Sequence, residues 1–184
     1  METNLTMHPD CAEILIGTEE LQKRVKELGR ILTEEYRGKD LIALGLLKGS
    51  FVFMSDLVRA MDMDLNVEFM VVSSYGASTT SSGNVKINLD LRADLAGKHV
   101  LIVEDILDTG ATLYFIRDII RLRGPESVKI CTLLNKPGRR KADIHADYIG
   151  FEVEDKFIIG YGLDYAEKYR NLPYIGVLKP EIYE

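Results

Sequence analysis

Apolar residues along the chain fall into short unbroken runs that alternate with segments of helical periodicity. The unbroken runs, typical of strands buried on both faces of a parallel sheet, are 41–47 and 100–103, and 127–134 is predicted as a further apolar strand. Apolar residues recur every three or four positions in 21–36, 51–61 and 112–122, which predicts amphipathic helices. Thr18 is predicted to cap the first helix. The alternation predicts an α/β fold with a parallel, twisted, Rossmann-like sheet flanked by helices.

The remaining pattern predicts shorter elements. Strands are predicted at 13–16, 65–72 and 85–89, and residues 73–84 lose all hydrophobic periodicity. Such a loop is either a passive hairpin connection or a lid over a site. Residues 148–153 and 157–161 indicate short strands that form a small cap, or hood, together with the start of the chain. We predict one domain over 1–184, with a core at about 18–135 and a hood of about 1–17 plus 136–184.

Composition narrows the class of protein. The 184 residues carry a net charge of −6 with dispersed basic residues, which disfavours nucleic acid as a partner. The two cysteines do not suggest a disulfide framework, so a reduced cytoplasm is predicted. The first residues do not resemble a signal peptide, and no apolar run approaches the roughly 20 residues of a membrane-spanning helix. We therefore predict a cytoplasmic protein with no membrane partner.

Candidate chemistry is concentrated at 103–112, where an apolar strand is followed by three acids and then by small residues. Glu104 and Asp105 are adjacent, and Asp108 stands where the strand is predicted to end. The segment 109–112 precedes a helix, whose free N–H groups and dipole favour phosphate. Acids beside a phosphate cradle favour a ligand that brings hydroxyls or Mg²⁺, as a sugar phosphate does. The alternative is a simple helix cap with acids facing water.

Two further cations follow predicted strands. Lys48, with Gly49, ends the run 41–47, and Lys136 ends the run 127–134. Because ligands of parallel sheets bind at the carboxyl ends of strands, these cations and Asp105 predict one composite site. Taken alone, Lys48-Gly49-Ser50 is more often a plain turn, and Lys136 is more often a solvated turn lysine.

The stretch 103–112 reads Val-Glu-Asp-Ile-Leu-Asp-Thr-Gly-Ala-Thr. It resembles the phosphoribosyl-pyrophosphate motif of the type I phosphoribosyltransferases, with the hypoxanthine-guanine branch the most similar, and the resemblance extends over about 13–182. It implies a purine-salvage enzyme that transfers the 5-phosphoribosyl group from phosphoribosyl pyrophosphate to hypoxanthine or guanine. The products would be IMP or GMP and pyrophosphate, and the cofactor would be Mg²⁺. It also implies a homodimer or homotetramer.

The resemblance assigns roles around the sugar and the phosphates. Glu104 and Asp105 would take the ribose diol and Mg²⁺, and Asp108 would be the catalytic carboxylate beside the purine. A non-proline cis peptide is implied between Leu47 and Lys48. The phosphate and pyrophosphate contacts would come from Thr109, Gly110, Ala111, Thr112, Lys48, Gly49 and Arg170. Ala111 replaces a lysine found in some relatives, and its backbone N–H can still serve.

The resemblance also assigns the purine contacts and the lid. Lys136 would donate to the 6-oxo group and Phe157 would stack on the ring. Ile158 would present backbone groups to the ring edge, and Asp164 would lie near the 2-position and hold a second Mg²⁺ through water. The lid would contain Ser73, Ser74, Tyr75 and Gly76. Apart from the resemblance, Phe157 is typical of a core aromatic and Asp164 of an ordinary loop acid.

Two alternatives stay open. One is a xanthine-preferring enzyme of the same chemistry, because the sequence does not discriminate at the 2-position. The other is a non-catalytic regulator of the same fold that senses nucleotides, although such a protein is expected to carry an added basic domain or face, which this sequence lacks. The choice between dimer and tetramer is equally open.

Overall fold

The computed structural model describes residues 6–74 and 85–183. Nine strands are β1 (Cys11–Ile16), β2 (Leu41–Leu47), β3 (Asn66–Ser74), β4 (Val85–Leu89), β5 (His99–Leu107), β6 (Ser127–Asn135), β7 (Tyr148–Glu152), β8 (Ile158–Ile159) and β9 (Ile175–Leu178). Four helices are α1 (Thr18–Tyr36), α2 (Phe51–Arg59), α3 (Ala111–Arg121) and α4 (Pro180–Tyr183).

A six-stranded sheet forms the centre of the fold, in the order β4-β3-β2-β5-β6-β7. All neighbouring strands run parallel except β4, which pairs antiparallel with β3 at one edge. This confirms the predicted α/β fold. Because β2, β5 and β6 run parallel, their carboxyl ends lie at one edge of the sheet. The candidate site residues Lys48, Asp105 and Lys136 lie in or directly after these strand ends.

Helices cover both faces of the central strands. Leu41, Ala43 and Leu101 pack with α1 and α2 on one face, while Ile42 and Ile102 pack with α3 on the other. Because β2 and β5 are buried on both faces, their apolar residues run without interruption.

A second, three-stranded sheet has the order β1-β9-β8 and is antiparallel throughout. It joins the start of the described chain to its end, since Cys11 is paired with Leu178. This sheet contains parts of both segments predicted to form the hood. The division of the chain into core and hood stays a prediction.

Strand β5 ends at Leu107, directly before Asp108, as predicted, and its pairing with β6 includes Glu104 and Thr132. Two local predictions are wrong. Thr18 does not cap α1, because its hydroxyl donates to the carbonyl of Pro173 (3.0 Å) and Gly17 takes the cap position. The strand at 148–152 does not belong to the hood, since it pairs with β6 as the edge of the large sheet.

The predicted lid lies partly in a strand. Ser73 and Ser74 extend β3, where Ser73 is paired with Lys86 of β4 and its hydroxyl accepts a hydrogen bond from Asn88 (2.9 Å). Tyr75 and Gly76 lie outside the described residues, so the lid stays a prediction. Across the described ranges 6–74 and 85–183, no helix combines the length and the apolarity needed to cross a membrane.

Candidate functional site

Glu104 and Asp105 lie in β5 near its carboxyl end, at the centre of the sheet edge. Successive side chains of a strand point to opposite faces, yet these two carboxyl groups influence one another's pKa and both accept hydrogen bonds from nearby backbone. The Asp105 N–H donates to Glu104 Oε1 (3.1 Å), and the Ile106 N–H donates to Asp105 Oδ1 (2.7 Å). The pair therefore forms one fixed acidic unit.

The acidic pair is held in an unfavourable environment for charge. Both residues keep some exposed surface, but surrounding protein atoms desolvate the two carboxyl groups. Burial, followed by the charge of Asp105, raises the pKa of Glu104 well above its usual range. Burial also raises the pKa of Asp105, although Arg170 and hydrogen bonds oppose the shift. A bound cation or hydroxyl donor would relieve this repulsion.

The corner between β2 and α2 lies directly against Asp105. The peptide between Leu47 and Lys48 is cis, which confirms that prediction. A Cβ added at Gly49 would stand 1.8 Å from Asp105 Oδ2, so any larger residue there would displace the Asp105 carboxylate. A Cβ at Gly162 would stand 2.1 Å from the Gly49 carbonyl oxygen. The corner is therefore packed tightly between the acidic pair and the segment around Gly162.

The loop between β5 and α3, which is predicted to hold phosphate, leads directly into the N-terminus of α3. Gly110 precedes the helix with a φ of 85°, a left-handed conformation that favours glycine. The Thr109 carbonyl accepts hydrogen bonds from the N–H groups of Lys141 (2.9 Å) and Ala142 (3.1 Å), which fix the loop. The first turn of α3 begins at Ala111, and its N–H groups have no acceptor within the helix.

Two adjoining pockets open at this edge. We call the first the acidic pocket. It is lined by Leu46, Leu47, Gly49, Val72, Glu104, Asp105, Ile106, Leu107, Asp108, Thr109, Gly110, Thr112 and Leu113. We call the second the aromatic pocket. It is lined by Ile106, Asp108, Lys136, Arg139, Asp155, Lys156, Phe157, Ile158, Leu163, Asp164 and Tyr183. Ile106 and Asp108 line both pockets and form their boundary.

Asp108 meets a cation that the sequence interpretation missed. Its Oδ1 atom is buried and accepts no hydrogen bond from any described residue. Arg139 Nε lies 3.2 Å from this oxygen, as an ion-pair partner without hydrogen-bond alignment, and also pairs with Asp155 (3.2 Å). Arg140 donates to the Asp108 carbonyl (2.5 Å). The only signal in the sequence was the short basic group that follows Lys136-Pro137-Gly138.

Lys136 is buried in the aromatic pocket rather than solvated, with only 7% of its surface exposed. Its ammonium donates to the Lys156 carbonyl (2.6 Å) and lies 3.8 Å from Asp155 Oδ1. Burial lowers the pKa of Lys136, while nearby Asp108 opposes the shift. The turn-lysine alternative does not describe this side chain, which is oriented as a fixed donor.

Phe157 belongs to an aromatic cluster instead of the core. Its ring is 38% exposed and stacks on Tyr183, with centroids 4.7 Å apart and planes at 20°. It also meets the edge of Tyr165 at 5.4 Å. Ile158 is buried beside it in β8. Tyr183 was not predicted from the sequence, because it reaches this cluster only through the folding of α4.

Asp164, Lys48 and Arg170 lie around the segment that follows Gly162. Arg170 pairs with Asp164 Oδ1 (2.8 Å) and donates to the Gly162 carbonyl (2.8 Å). Lys48 pairs with Glu167 (3.1 Å). Lys48, Ala111 and Arg170 do not line either pocket. Lys48 and Ala111 are sequence neighbours of residues that line the acidic pocket, and the charge of Arg170 acts on Asp105 in that pocket. Within 6–74 and 85–183, no three acidic, histidine or cysteine side chains converge on one metal position.

Comparison with known proteins agrees with this geometry. Residues 16–166 match the family described as the phosphoribosyl transferase domain. The hypoxanthine-guanine phosphoribosyltransferase of Bacillus subtilis strain 168 is 56% identical over 178 residues, which cover 97% of this chain and 99% of that protein. A hypoxanthine phosphoribosyltransferase structure from Staphylococcus aureus superposes with a TM-score of 0.95 at 52% identity and covers 100% of both chains.

A second kind of relative is longer. The bifunctional protein TilS/HprT of Listeria monocytogenes serotype 4b is 54% identical over 180 residues, which cover 98% of this chain. The chain spans only 28% of the length of that relative.

Proposed function

Because the chain belongs to the phosphoribosyl transferase domain family, we propose that it is a purine-salvage enzyme. It transfers the 5-phosphoribosyl group from phosphoribosyl pyrophosphate to hypoxanthine or guanine and releases IMP or GMP and pyrophosphate. Relatives with hypoxanthine-guanine phosphoribosyltransferase names at 53% and 56% identity, each covering nearly the whole chain, support this activity.

The position of Asp108 is the observation that carries the proposal. It lies on the boundary between a pocket with an acidic pair and a phosphate cradle and a pocket with a buried lysine and an exposed aromatic ring. A sugar phosphate in the first pocket and a purine in the second would meet at this carboxylate. Because the Asp108 side chain lines both pockets, its carboxylate could accept a hydrogen bond from an N–H group of the base.

The acidic pair suits a magnesium complex of the substrate. Mg²⁺ prefers oxygen ligands and is commonly held by one or two carboxylates together with substrate oxygens and water. Glu104 and Asp105 offer two carboxylates, and the repulsion between them favours a cation or hydroxyl donors. When bound, Mg²⁺ would neutralise charge on the pyrophosphate leaving group. A second ion at Asp164 is proposed only through water, since Arg170 already pairs with that carboxylate.

The residues then divide the reaction between them. The bond from C1′ to the pyrophosphate oxygen breaks while a purine nitrogen bonds to C1′, and Asp108 takes the proton that the imidazole ring gives up. Lys136 donates to the 6-oxo group, which favours an oxo purine over adenine. Phe157 stacks on the ring, and Ile158 presents its backbone to the ring edge. Thr109, Gly110, Ala111 and Thr112 hold the 5′-phosphate, and Lys48, Gly49 and Arg170 hold pyrophosphate.

The test is pyrophosphate release from phosphoribosyl pyrophosphate and Mg²⁺ with hypoxanthine, guanine, xanthine, adenine and uracil in separate reactions. Turnover is expected with hypoxanthine or guanine. The Asp108→Ala variant should bind phosphoribosyl pyrophosphate but lose about 10²–10⁴-fold in turnover, the usual contribution of a general acid or base. Absence of pyrophosphate release with every base would refute the proposed enzyme activity. Xanthine as the best substrate would favour the xanthine-preferring alternative. Assembly as a homodimer or homotetramer and a cytoplasmic location stay predictions.

A further inference from the structure

The carboxylate of Glu167 contacts both cations that are assigned to pyrophosphate. Its Oε2 atom lies 3.1 Å from Lys48 Nζ and 3.4 Å from an Arg170 guanidinium nitrogen. Within the described ranges 6–74 and 85–183, Glu167 is the one carboxylate that pairs with Lys48. One carboxylate oxygen therefore bridges a residue of the β2–α2 corner and a residue more than a hundred positions later.

The backbone around Glu167 fixes this bridge. Ala166, Glu167 and Tyr169 have φ values of 50°, 63° and 74°, which are left-handed conformations rarely adopted by residues other than glycine. The Glu167 N–H donates to Asp164 Oδ2 (2.9 Å), and Arg170 pairs with the other oxygen of Asp164. A backbone held in three uncommon conformations by these contacts gives Glu167 a defined position beside the two cations.

The bridge is also accessible. The side chains of Lys48 and Glu167 are 64% and 65% exposed, so an anion from solvent can reach both. Lys48 lowers the pKa of Glu167 through its hydrogen bond and its charge, which keeps the carboxylate ionised at neutral pH. Arg170 is more enclosed, at 19% exposed, and contributes to the field at the acidic pair.

We propose that Glu167 is a competing anion for the pyrophosphate position. Its carboxylate holds Lys48 and Arg170 in the ligand-free protein, and the pyrophosphate group of the substrate displaces it. This inference rests on the proposed function, in which those two cations bind pyrophosphate. Because two anions compete for the same cations, Glu167 weakens the binding of pyrophosphate and speeds its release. Glu167 is thus a positioning residue that does not touch the reacting carbon.

The experiment compares inorganic pyrophosphate binding, with Mg²⁺ present, between the wild type and Glu167→Gln by isothermal titration calorimetry. Glu167→Asn is the second variant, since asparagine tolerates the left-handed conformation. Glu34→Gln is the matched control, because Glu34 is 62% exposed and pairs with Arg30 at 3.0 Å on α1, outside both pockets. The KM for phosphoribosyl pyrophosphate and for hypoxanthine is measured for each protein.

We expect both Glu167 variants to bind pyrophosphate about two- to fivefold more tightly, the range set by an exposed ion pair. The KM for phosphoribosyl pyrophosphate should fall in parallel, while the KM for hypoxanthine and all values for Glu34→Gln stay unchanged. Added KCl should shrink the difference, because salt screens exposed charges. Equal or weaker binding in the Glu167 variants would overturn the inference and leave the enzyme activity intact. A wild type without pyrophosphate binding or turnover would overturn the proposed function as well.

Discussion

At the scale of single residues, the ionised acidic pair of Glu104 and Asp105 lowers the free energy of unfolding, an electrostatic cost of the site. Glu104 has a raised pKa in the folded protein, because burial and the charge of Asp105 disfavour its ionised form. Below the unfolded pKa both states are protonated and the cost is absent. As the pH rises above that value, the unfolded state releases its proton first, so the folded state loses relative stability. The site therefore trades stability for affinity toward a ligand that masks charge.

Replacing Glu104 by Gln tests this cost. The variant should melt about 2–4 °C above the wild type at pH 8, the shift expected for roughly 1 kcal/mol in a protein of this size. The difference should nearly vanish at pH 4, where the wild-type carboxyl is protonated in both states. Thermal unfolding followed by circular dichroism at several pH values provides the measurement, with Glu34→Gln as the exposed control. A shift of the same size at every pH would contradict the electrostatic explanation.

Lys136 is the residue-scale test of base recognition. Its ammonium is buried and oriented by the Lys156 carbonyl, so Lys136→Ala removes a desolvated donor from the aromatic pocket. The KM for hypoxanthine should rise by about 10–200-fold, which corresponds to a charge-assisted hydrogen bond of 1.5–3 kcal/mol. Binding of phosphoribosyl pyrophosphate, measured by calorimetry, should change much less. An equal loss for both substrates would count against a role in base recognition.

At the scale of secondary-structure elements, α1 protects the exposed edge of the large sheet. Arg24 donates from Nε to the Gly150 carbonyl (2.9 Å) and from a terminal nitrogen to the Ile149 carbonyl (2.7 Å). Among the described strands, β7 is hydrogen bonded to β6 alone, so its other side needs such cover. The arginine thus joins the first helix to the last strand of the sheet.

Arg24→Met should lower the free energy of unfolding by about 2 kcal/mol, because it removes two charge-assisted hydrogen bonds and leaves carbonyls without a partner. Arg30→Met, on the same helix, should change it by less than about 0.5 kcal/mol, since Arg30 is 67% exposed and pairs with Glu34 alone among the described residues. Urea denaturation measures both. Identical midpoints for the two variants would show that the edge contact contributes nothing.

The hydrophobic pattern along the sequence predicted the strands whose ends coincide with the end of an apolar run or of an apolar–polar alternation. The limits of β2 and β4 agree with the predicted 41–47 and 85–89, because the apolar run or alternation ends where each strand ends. The end of β5 at Leu107 also agrees with the predicted end at Asp108, and pairing with Thr132 of β6 carries the strand through Glu104. Strand β7 was assigned to the hood instead of the large sheet, because strand pairing is decided by distant residues.

In the candidate site, too, features that are local in the sequence could be predicted, whereas contacts between distant segments could not. The acids and small residues at 104–112 are adjacent in sequence, so their chemistry could be inferred directly. Arg139 beside Asp108, Tyr183 against Phe157 and Glu167 between two cations were missed. Each contact joins segments that are separated along the chain, and neither residue of such a pair signals its partner.

At the scale of the whole molecule, a protein of net charge −6 collects cations around one edge of its sheet. Lys48, Arg170, Lys136 and Arg139 all lie near the two pockets, and each has a carboxylate partner. Although each cation is paired with a carboxylate, we expect these cations to favour the binding of an anionic substrate at this edge. The electrostatic part of substrate binding is therefore open to screening by salt.

Raising KCl from 50 to 500 mM should increase the KM for phosphoribosyl pyrophosphate by about two- to fivefold, as the Debye length shortens. The KM for hypoxanthine, a neutral base, should change little. Steady-state kinetics with each substrate varied in turn separates the two effects. A parallel rise in both values would indicate a general effect of salt on the enzyme rather than screening of the pyrophosphate cations.

The pairing of β1 with β9 also determines when β1 can fold during synthesis of the chain. Cys11 leaves the ribosome early but waits for Leu178 before its strand has a partner, a delay on the order of ten to thirty seconds at 5–20 residues per second. The Phe157 carbonyl likewise waits for the Leu178 N–H. A nascent chain can thus complete the β2 and β5 edge well before the aromatic pocket. Hydrogen exchange on ribosome-bound chains arrested before Leu178 should find the β2 amides protected and the β1 amides unprotected, and protection of β1 at that length would refute this order.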